Sequence, residues 1–150
     1  MTSNFNPNLV SKQAQEYFEA NRNVLVVEDD TIMGQMVSEI LSDVGFEVTT
    51  AVNGTIAFEK LKQHPVDFII LDILLPGQDG FQIYEGLQAN PNTKEIPVMI
   101  VTAWADTQHR DRATALGIRH FLAKPFTEDE LLLSILTLLV DSSRQKNVGA

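Results

Sequence analysis

Apolar and polar positions alternate along this chain in two rhythms. Short apolar runs at Val24 to Val27, Phe68 to Leu71, Pro97 to Val101 and His120 to Ala123 have the length of strands covered on both faces. Glu47 to Ala51 reads as one more strand, β-branched but without an apolar run. Between these segments apolar residues recur at helical spacing. Met33, Val37, Ile40, Leu41 and Val44 predict a helix from about Thr31 to Val44, stopped by Gly45. Ala57, Phe58 and Leu61 mark a second from about Gly54 to Gln63, broken at His64-Pro65. A third runs from about Gly80 to Ala89, and Asn90-Pro91-Asn92 ends it. Thr107 to Leu116 makes a fourth, stopped by Gly117, and Thr127 caps a last helix reaching about Val140. Strands alternating with helices in this way predict an α/β domain, a parallel sheet with helices on both faces. Spacing alone leaves the strand order open.

The chain outside this core divides into an N-terminal extension, residues 1–23, and a C-terminal tail, residues 141–150, around a domain at 24–140. Within the extension Val10, Ala14, Tyr17 and Phe18 fall on one helical face, which predicts a helix from about Ser11 to Ala20 packed on the domain or on a partner. The last helix carries more apolar surface than a sheet can cover. Leu131, Leu132, Leu133, Ile135, Leu136, Leu138, Leu139 and Val140 occupy about two-thirds of its circumference. The surplus predicts a second contact, either a homodimer or the N-terminal extension folding over it.

Composition narrows the class. With 150 residues, 44% hydrophobic and 21% charged, the chain suits one globular domain. No apolar run reaches membrane-spanning length, and the N-terminus has neither a basic start nor an apolar signal core, so the expectation is a cytoplasmic protein without membrane contact. The absence of cysteine excludes disulfides, thiolate metal sites and thiol nucleophiles. A net charge of −9 argues against direct nucleic-acid binding, which draws on clustered Lys and Arg. His64, His109 and His120 lack metal-ligand spacing and read as surface or loop residues, and Thr107 to Arg112 reads as a solvated helix face.

Candidate chemistry gathers at strand ends. The run Phe68-Ile69-Ile70-Leu71 stops on Asp72 and turns on Pro76-Gly77; the first strand ends on Glu28 and Asp29, the fourth on Thr102 and the fifth on Lys124. Parallel strands bring their carboxyl ends to one edge of a sheet, where ligands bind. Three carboxylates together repel and call for a cation. A hard ion such as Mg²⁺ suits an all-oxygen site and bridges carboxylate and phosphate oxygens. Lysine and threonine beside it can hold further phosphoryl oxygens, and an aspartate can itself take the phosphoryl group as an acyl phosphate. The residues therefore point to Mg²⁺-assisted phosphorylation of one aspartate.

Val-Leu-Val-Val-Glu-Asp-Asp, Ile-Leu-Asp-Ile-Leu-Leu-Pro-Gly-Gln-Asp-Gly, Val-Thr-Ala and Phe-Leu-Ala-Lys-Pro-Phe together resemble the receiver domain of two-component response regulators, from about Val24 to Val140. The resemblance implies a flavodoxin-like (βα)5 fold with strand order 2-1-3-4-5, an order for which a receiver protein is itself a standard example. It implies Asp72 as phosphoacceptor, with Thr102 and Lys124 holding phosphoryl oxygens. It further implies a Mg²⁺ site made by Glu28, Asp29, Asp72 and the backbone carbonyl of Leu74, and Phe121 as the switch aromatic. A cis Lys124-Pro125 bond is common in the family. The implied partners are a sensor histidine kinase or histidine phosphotransfer protein as donor and a downstream protein target. The homodimer that the surplus of the last helix allows would run through the helix after the fourth strand, the fifth strand and the last helix. On this reading the chain is a signalling protein in a phosphorelay, an enzyme only toward its own phosphorylation and dephosphorylation. With no output domain after the tail, output would be protein–protein contact if the chain is whole; in a fragment it could lie beyond Ala150.

Three departures from the family pattern matter. Glu28 takes a place that is often Asp, and Phe121 replaces the common Tyr, losing a hydroxyl. Leu74 and Trp104, two residues after Asp72 and Thr102, are apolar and cannot orient an attacking water, which predicts slow loss of the phosphoryl group. Two other classes stay open: a phosphate-ester hydrolase, weakened because Leu74 stands where a second acid would serve, and a receiver-like scaffold that dimerises without phosphorylation.

Overall fold

The computed structural model describes residues 11–148. Its elements run α1 (Lys12–Ala20), β1 (Asn23–Val27), α2 (Thr31–Asp43), β2 (Glu47–Ala51), α3 (Gly54–Gln63), β3 (Phe68–Leu71), α4 (Gly80–Ala89), β4 (Val98–Thr102), α5 (Thr107–Ala115), β5 (Phe121–Ala123) and α6 (Glu128–Val148). The sheet is parallel throughout, in the order β2-β1-β3-β4-β5. This is the flavodoxin-like arrangement expected from the sequence. Two strands start one residue later than their apolar runs: Pro97 has no N–H for the ladder, and β5 begins at Phe121 rather than His120.

Strand alternation divides the core in two. Val24, Val26, Phe68, Ile70, Met99, Val101 and Leu122 point to one face, against Val37, Ile40 and Leu41 of α2 and the buried row of α6. Leu25, Val27, Ile69, Leu71, Val98 and Ile100 point to the other, against Ala57 of α3, Phe81, Ile83 and Leu87 of α4, and Ala113 of α5. Consecutive side chains of a strand leave on opposite faces, so a run apolar at every position needs helices on both. Among the described residues no helix is long and apolar enough to cross a membrane.

The extension folds as predicted for Ser11 to Ala20: Ser11 caps α1 by accepting from Ala14 N at 3.1 Å. Ala14 and Phe18 are buried, and Phe18 lies 5.1 Å from the ring of Phe46. Val10, the first position of the predicted face, lies outside the described residues. Helix α1 packs beside α6, so the extension takes up part of the surplus apolar surface of the last helix. Leu133 remains 65% exposed.

The predicted stop near Val140 is corrected. Helix α6 continues through Asp141 to Val148, where a tail was expected. Apolar periodicity ends at Val140, but no Gly or Pro follows before Val148, and Arg144, Gln145 and Lys146 favour helix. Asp141 also pairs with His120 Nε2 at 3.0 Å, tying the extra turns to the start of β5.

Candidate functional site

The site is built by strand register. Val27 lies opposite Leu71, so the next residues, Glu28 and Asp72, leave their strands side by side. Thr102 lies opposite Ala123, which places Lys124 just beyond it. Each of three site residues extends the ladder through its own N–H: Glu28 to Ala51 O at 2.9 Å, Asp72 to Val27 O at 3.0 Å and Lys124 to Thr102 O at 2.9 Å. Backbone hydrogen bonds thus fix where the side chains begin. Gly80 brings α4 against the end of β3; a Cβ there would meet Ile73 Cα at 2.6 Å, and Gly80 N donates to Ile73 O at 2.9 Å. Only glycine permits so close an approach.

Glu28, Asp29 and Asp72 each offer a carboxylate oxygen, all within 4.8 Å of one another. Glu28 and Asp72 are buried, at 7% and 6% exposure, while Asp29 is exposed. Lys124 Nζ donates to Asp72 Oδ2 at 3.0 Å and also to Glu28 Oε1. Leu74 N donates to Asp72 Oδ1 at 3.0 Å. Glu28 Oε2 is buried and has no hydrogen-bond partner among the described residues. Asp30, third in the acidic run, leaves the cluster and caps α2 by accepting from Ile32 N and Met33 N. Thr102 is fully buried, and its Oγ1 accepts from Trp104 N at 3.2 Å. The Lys124–Pro125 peptide is cis.

Charge is unevenly settled here. Burial pushes the Glu28 carboxyl up to about 7, with neighbouring Asp72 adding to the rise against the pull of Lys124. Burial also pushes Asp72 upward, yet the Leu74 N–H, Glu28 and Lys124 together hold it below its ordinary value. Burial works against the Lys124 ammonium, but its two carboxylate partners hold its pKa above the usual lysine value. One ammonium therefore serves two buried carboxyls, and one carboxyl oxygen is left over. Three carboxylates with an unpartnered buried oxygen among them match the hard, oxygen-seeking chemistry of a divalent cation. Asp72, buried at the carboxyl end of β3 and held below its ordinary carboxyl value, is the group chemically suited to nucleophilic attack.

The predicted residues separate into a centre and a rim. Glu28, Asp29, Asp72 and Lys124 come together, with Thr102 on the adjoining strand. Leu74 and Trp104 stand exposed on the loops after Asp72 and Thr102. Phe121 lies two register positions back from Thr102, opposite Ile100, and is half-buried. The segment Thr107 to Arg112 does more than face solvent. His109 pairs with Asp106 and stacks on Trp104, with ring centroids 4.9 Å apart. Arg110 and Arg112 lie over the rings of Phe121 and Phe81, at 4.7 and 4.5 Å. His109 and Asp106 stand at i,i+3 spacing, but no spacing rule flags the two arginine contacts, because they join α5 to β5 and to α4.

Comparison with known proteins agrees with this geometry. A family model described as "Response regulator receiver domain" matches residues 24–136. The transcriptional regulatory protein CusR of Escherichia coli is 35% identical over 116 residues, covering 77% of this chain and 50% of CusR. The solved structure of the Vibrio cholerae chemotaxis protein CheY4 superposes with a TM-score of 0.74 at 30% identity, covering 79% of this chain and 98% of that one. The receiver domain of sensor histidine kinase PA1611 from Pseudomonas aeruginosa, solved with a magnesium ion in its active-site cleft, gives 0.72 at 27% identity, covering 79% and 98%. This chain spans about half the length of the transcriptional regulators it matches.

Proposed function

This chain belongs to the response regulator receiver domain family, and we propose that it is a phosphorylation-controlled signalling module whose phosphoacceptor is Asp72. The observation that carries this reading is the pairing of Lys124 with both Asp72 and Glu28 at the edge of a three-carboxylate cluster. The donor is a phosphohistidine on a histidine kinase or histidine phosphotransfer protein. A carboxylate oxygen of Asp72 attacks phosphorus, the P–N bond breaks with its electron pair returning to nitrogen, and the imidazole, whose other ring nitrogen already carries a proton, leaves neutral. Asp72 is suited to the step because its neighbours keep it ionised. Lys124 then transfers its hydrogen bond from the carboxylate to a phosphoryl oxygen, and Thr102 donates its hydroxyl to another.

Glu28, Asp29, Asp72 and the Leu74 carbonyl would hold Mg²⁺, which when bound supplies charge neutralisation for carboxylate and phosphoryl oxygens. Glu28 keeps its proton up to about pH 7, so metal affinity should rise as pH climbs from about 6 to about 8. The same shift sets a stability slope: between pH 4.5 and about 7 Glu28 loses its proton in the unfolded chain while the folded chain keeps it, so the metal-free protein loses stability as pH rises through that window. Leu74 and Trp104 give water no polar guide to the acyl phosphate, which favours a long-lived phosphorylated state. Movement of Thr102 and Phe121 would pass the change to the face formed by α5, β5 and α6, where a protein target or a second copy binds. The residues 24–140 form the receiver on this reading, with α1 as an added layer.

Intact-mass measurement tests the proposal. With Mg²⁺ and a small acyl phosphate, the wild type should gain one phosphoryl group, while Asp72→Ala or added EDTA prevents it. A wild type that stays unmodified would overturn the reading, as would equal labelling of Asp72→Ala.

A further inference from the structure

Helix α5 buries one side chain, Ala113, and its opening turns are fastened instead by polar groups. Arg110 makes two contacts with one guanidinium. Its Nε donates to the carbonyl of Ala105 at 2.9 Å, in the loop that follows Thr102. Its Cζ lies 4.7 Å from the centroid of the Phe121 ring. The same loop is tied to the site at its other end, where Trp104 N donates to Thr102 Oγ1. A chain of contacts therefore runs from Thr102 through Trp104 and Ala105 to Arg110, and from Arg110 to Phe121.

We propose that Arg110 is a positioning residue that latches the resting state, holding the loop after Thr102 and the ring of Phe121 in place together. The inference rests on the phosphoacceptor reading above. If Thr102 moves toward a phosphoryl group on Asp72, its oxygen leaves Trp104 N and the loop shifts with it. Phe121 can turn inward only by leaving the guanidinium face. Both contacts of Arg110 oppose these movements, and both break in the same event, so the loop and the ring switch as a unit. Planarity is essential: a guanidinium stacks on a ring while its edge N–H bonds a carbonyl, and an ammonium lacks that fork. Arg112 offers an internal control. It lies over Phe81 at 4.5 Å and pairs with Asp79 at 3.4 Å, at the start of α4, away from both the loop and Phe121.

The test is calorimetric titration of the full chain with beryllofluoride in the presence of Mg²⁺, a non-covalent phosphoryl mimic. Fluorescence of Trp104, the single tryptophan, follows the loop. Arg110→Met should tighten beryllofluoride binding about two- to fivefold, the scale of one partly exposed cation–π contact. It should also move the emission of the free protein toward the bound value. Arg110→Lys should tighten binding in the same direction, and Arg112→Met should leave it unchanged. In a Phe121→Leu background the effect of Arg110→Met should shrink by about half or more, because the ring is gone. Equal affinity of Arg110→Met and Arg110→Lys with wild type sinks the latch, and so does undiminished tightening in Phe121→Leu; either leaves the phosphoacceptor reading standing. Failure of the wild type to bind beryllofluoride at all removes both.

Discussion

Helices α5 and α6 pack on opposite faces of the sheet beside β5, and different forces hold them. Helix α6 buries Leu131, Leu132, Ile135, Leu138 and Leu139 against the core. Each such side chain is worth about 1.5–3 kcal/mol when fully buried. Helix α5 buries Ala113 alone, and its anchors are the cation–π contacts of Arg110 and Arg112 and the ion pair with Asp79. Contacts of that kind are worth about 0.5–1 kcal/mol each at exposed sites. One helix is fixed by removal of apolar surface from water, which no small movement can undo. The other is held by groups that water can replace. The weakly held helix is the one that covers Phe121 and follows the Thr102 loop, where the proposed switch needs movement.

The widest separation should appear in hydrogen exchange. Amides of α6 between Leu131 and Leu139 should exchange only through global unfolding, and those of α5 through local opening. The expected gap in protection is on the order of a hundredfold or more. Equal protection of the two helices would erase the comparison. Truncating the buried row comes next. Ile135→Ala should cost about 2–5 kcal/mol in urea unfolding, since the fully buried side chain leaves a cavity. A loss below about 1 kcal/mol would mean that α1 or the sheet collapses into the gap. In α5 the largest available change is smaller: Ala113→Gly should cost about 1 kcal/mol, chiefly through helix propensity. The smallest effect belongs to Arg112→Met, at about 0.5–1 kcal/mol. If that variant instead costs as much as Ile135→Ala, α5 is anchored as firmly as α6 and the contrast fails.

Helix α1 sharpens the same lesson from the other side. Its apolar face was visible in Ala14, Tyr17 and Phe18, and so was the surplus on the last helix. The patterns named the extension as one possible cover for the last helix and a second copy of the chain as the other, because a stripe records the need for burial without choosing the partner. The acidic run shows a related limit. Glu28, Asp29 and Asp30 look alike in sequence, yet one is buried beside Asp72, one is exposed within metal-binding reach and one caps α2. A strand's alternation separates neighbours, and the turn into α2 claims the third for unpaired N–H groups.

Local chemistry in the sequence by itself determined the alternation of strands and helices and the placing of Asp72, Thr102 and Lys124 at strand ends. Apolar runs can be satisfied only between two helix layers, and parallel strands must end along one edge. Residue spacing did not determine the strand order, which the family motifs supplied and the sheet bears out. The tertiary structure alone decided that Lys124 bridges Glu28 and Asp72 across 96 and 52 residues of chain. It also decided that α6 runs on to Val148, that α1 lies against it and that Arg110 sits over Phe121. Those contacts depend on crossover lengths and helix packing angles, and neither is written in the spacing of residues along one element.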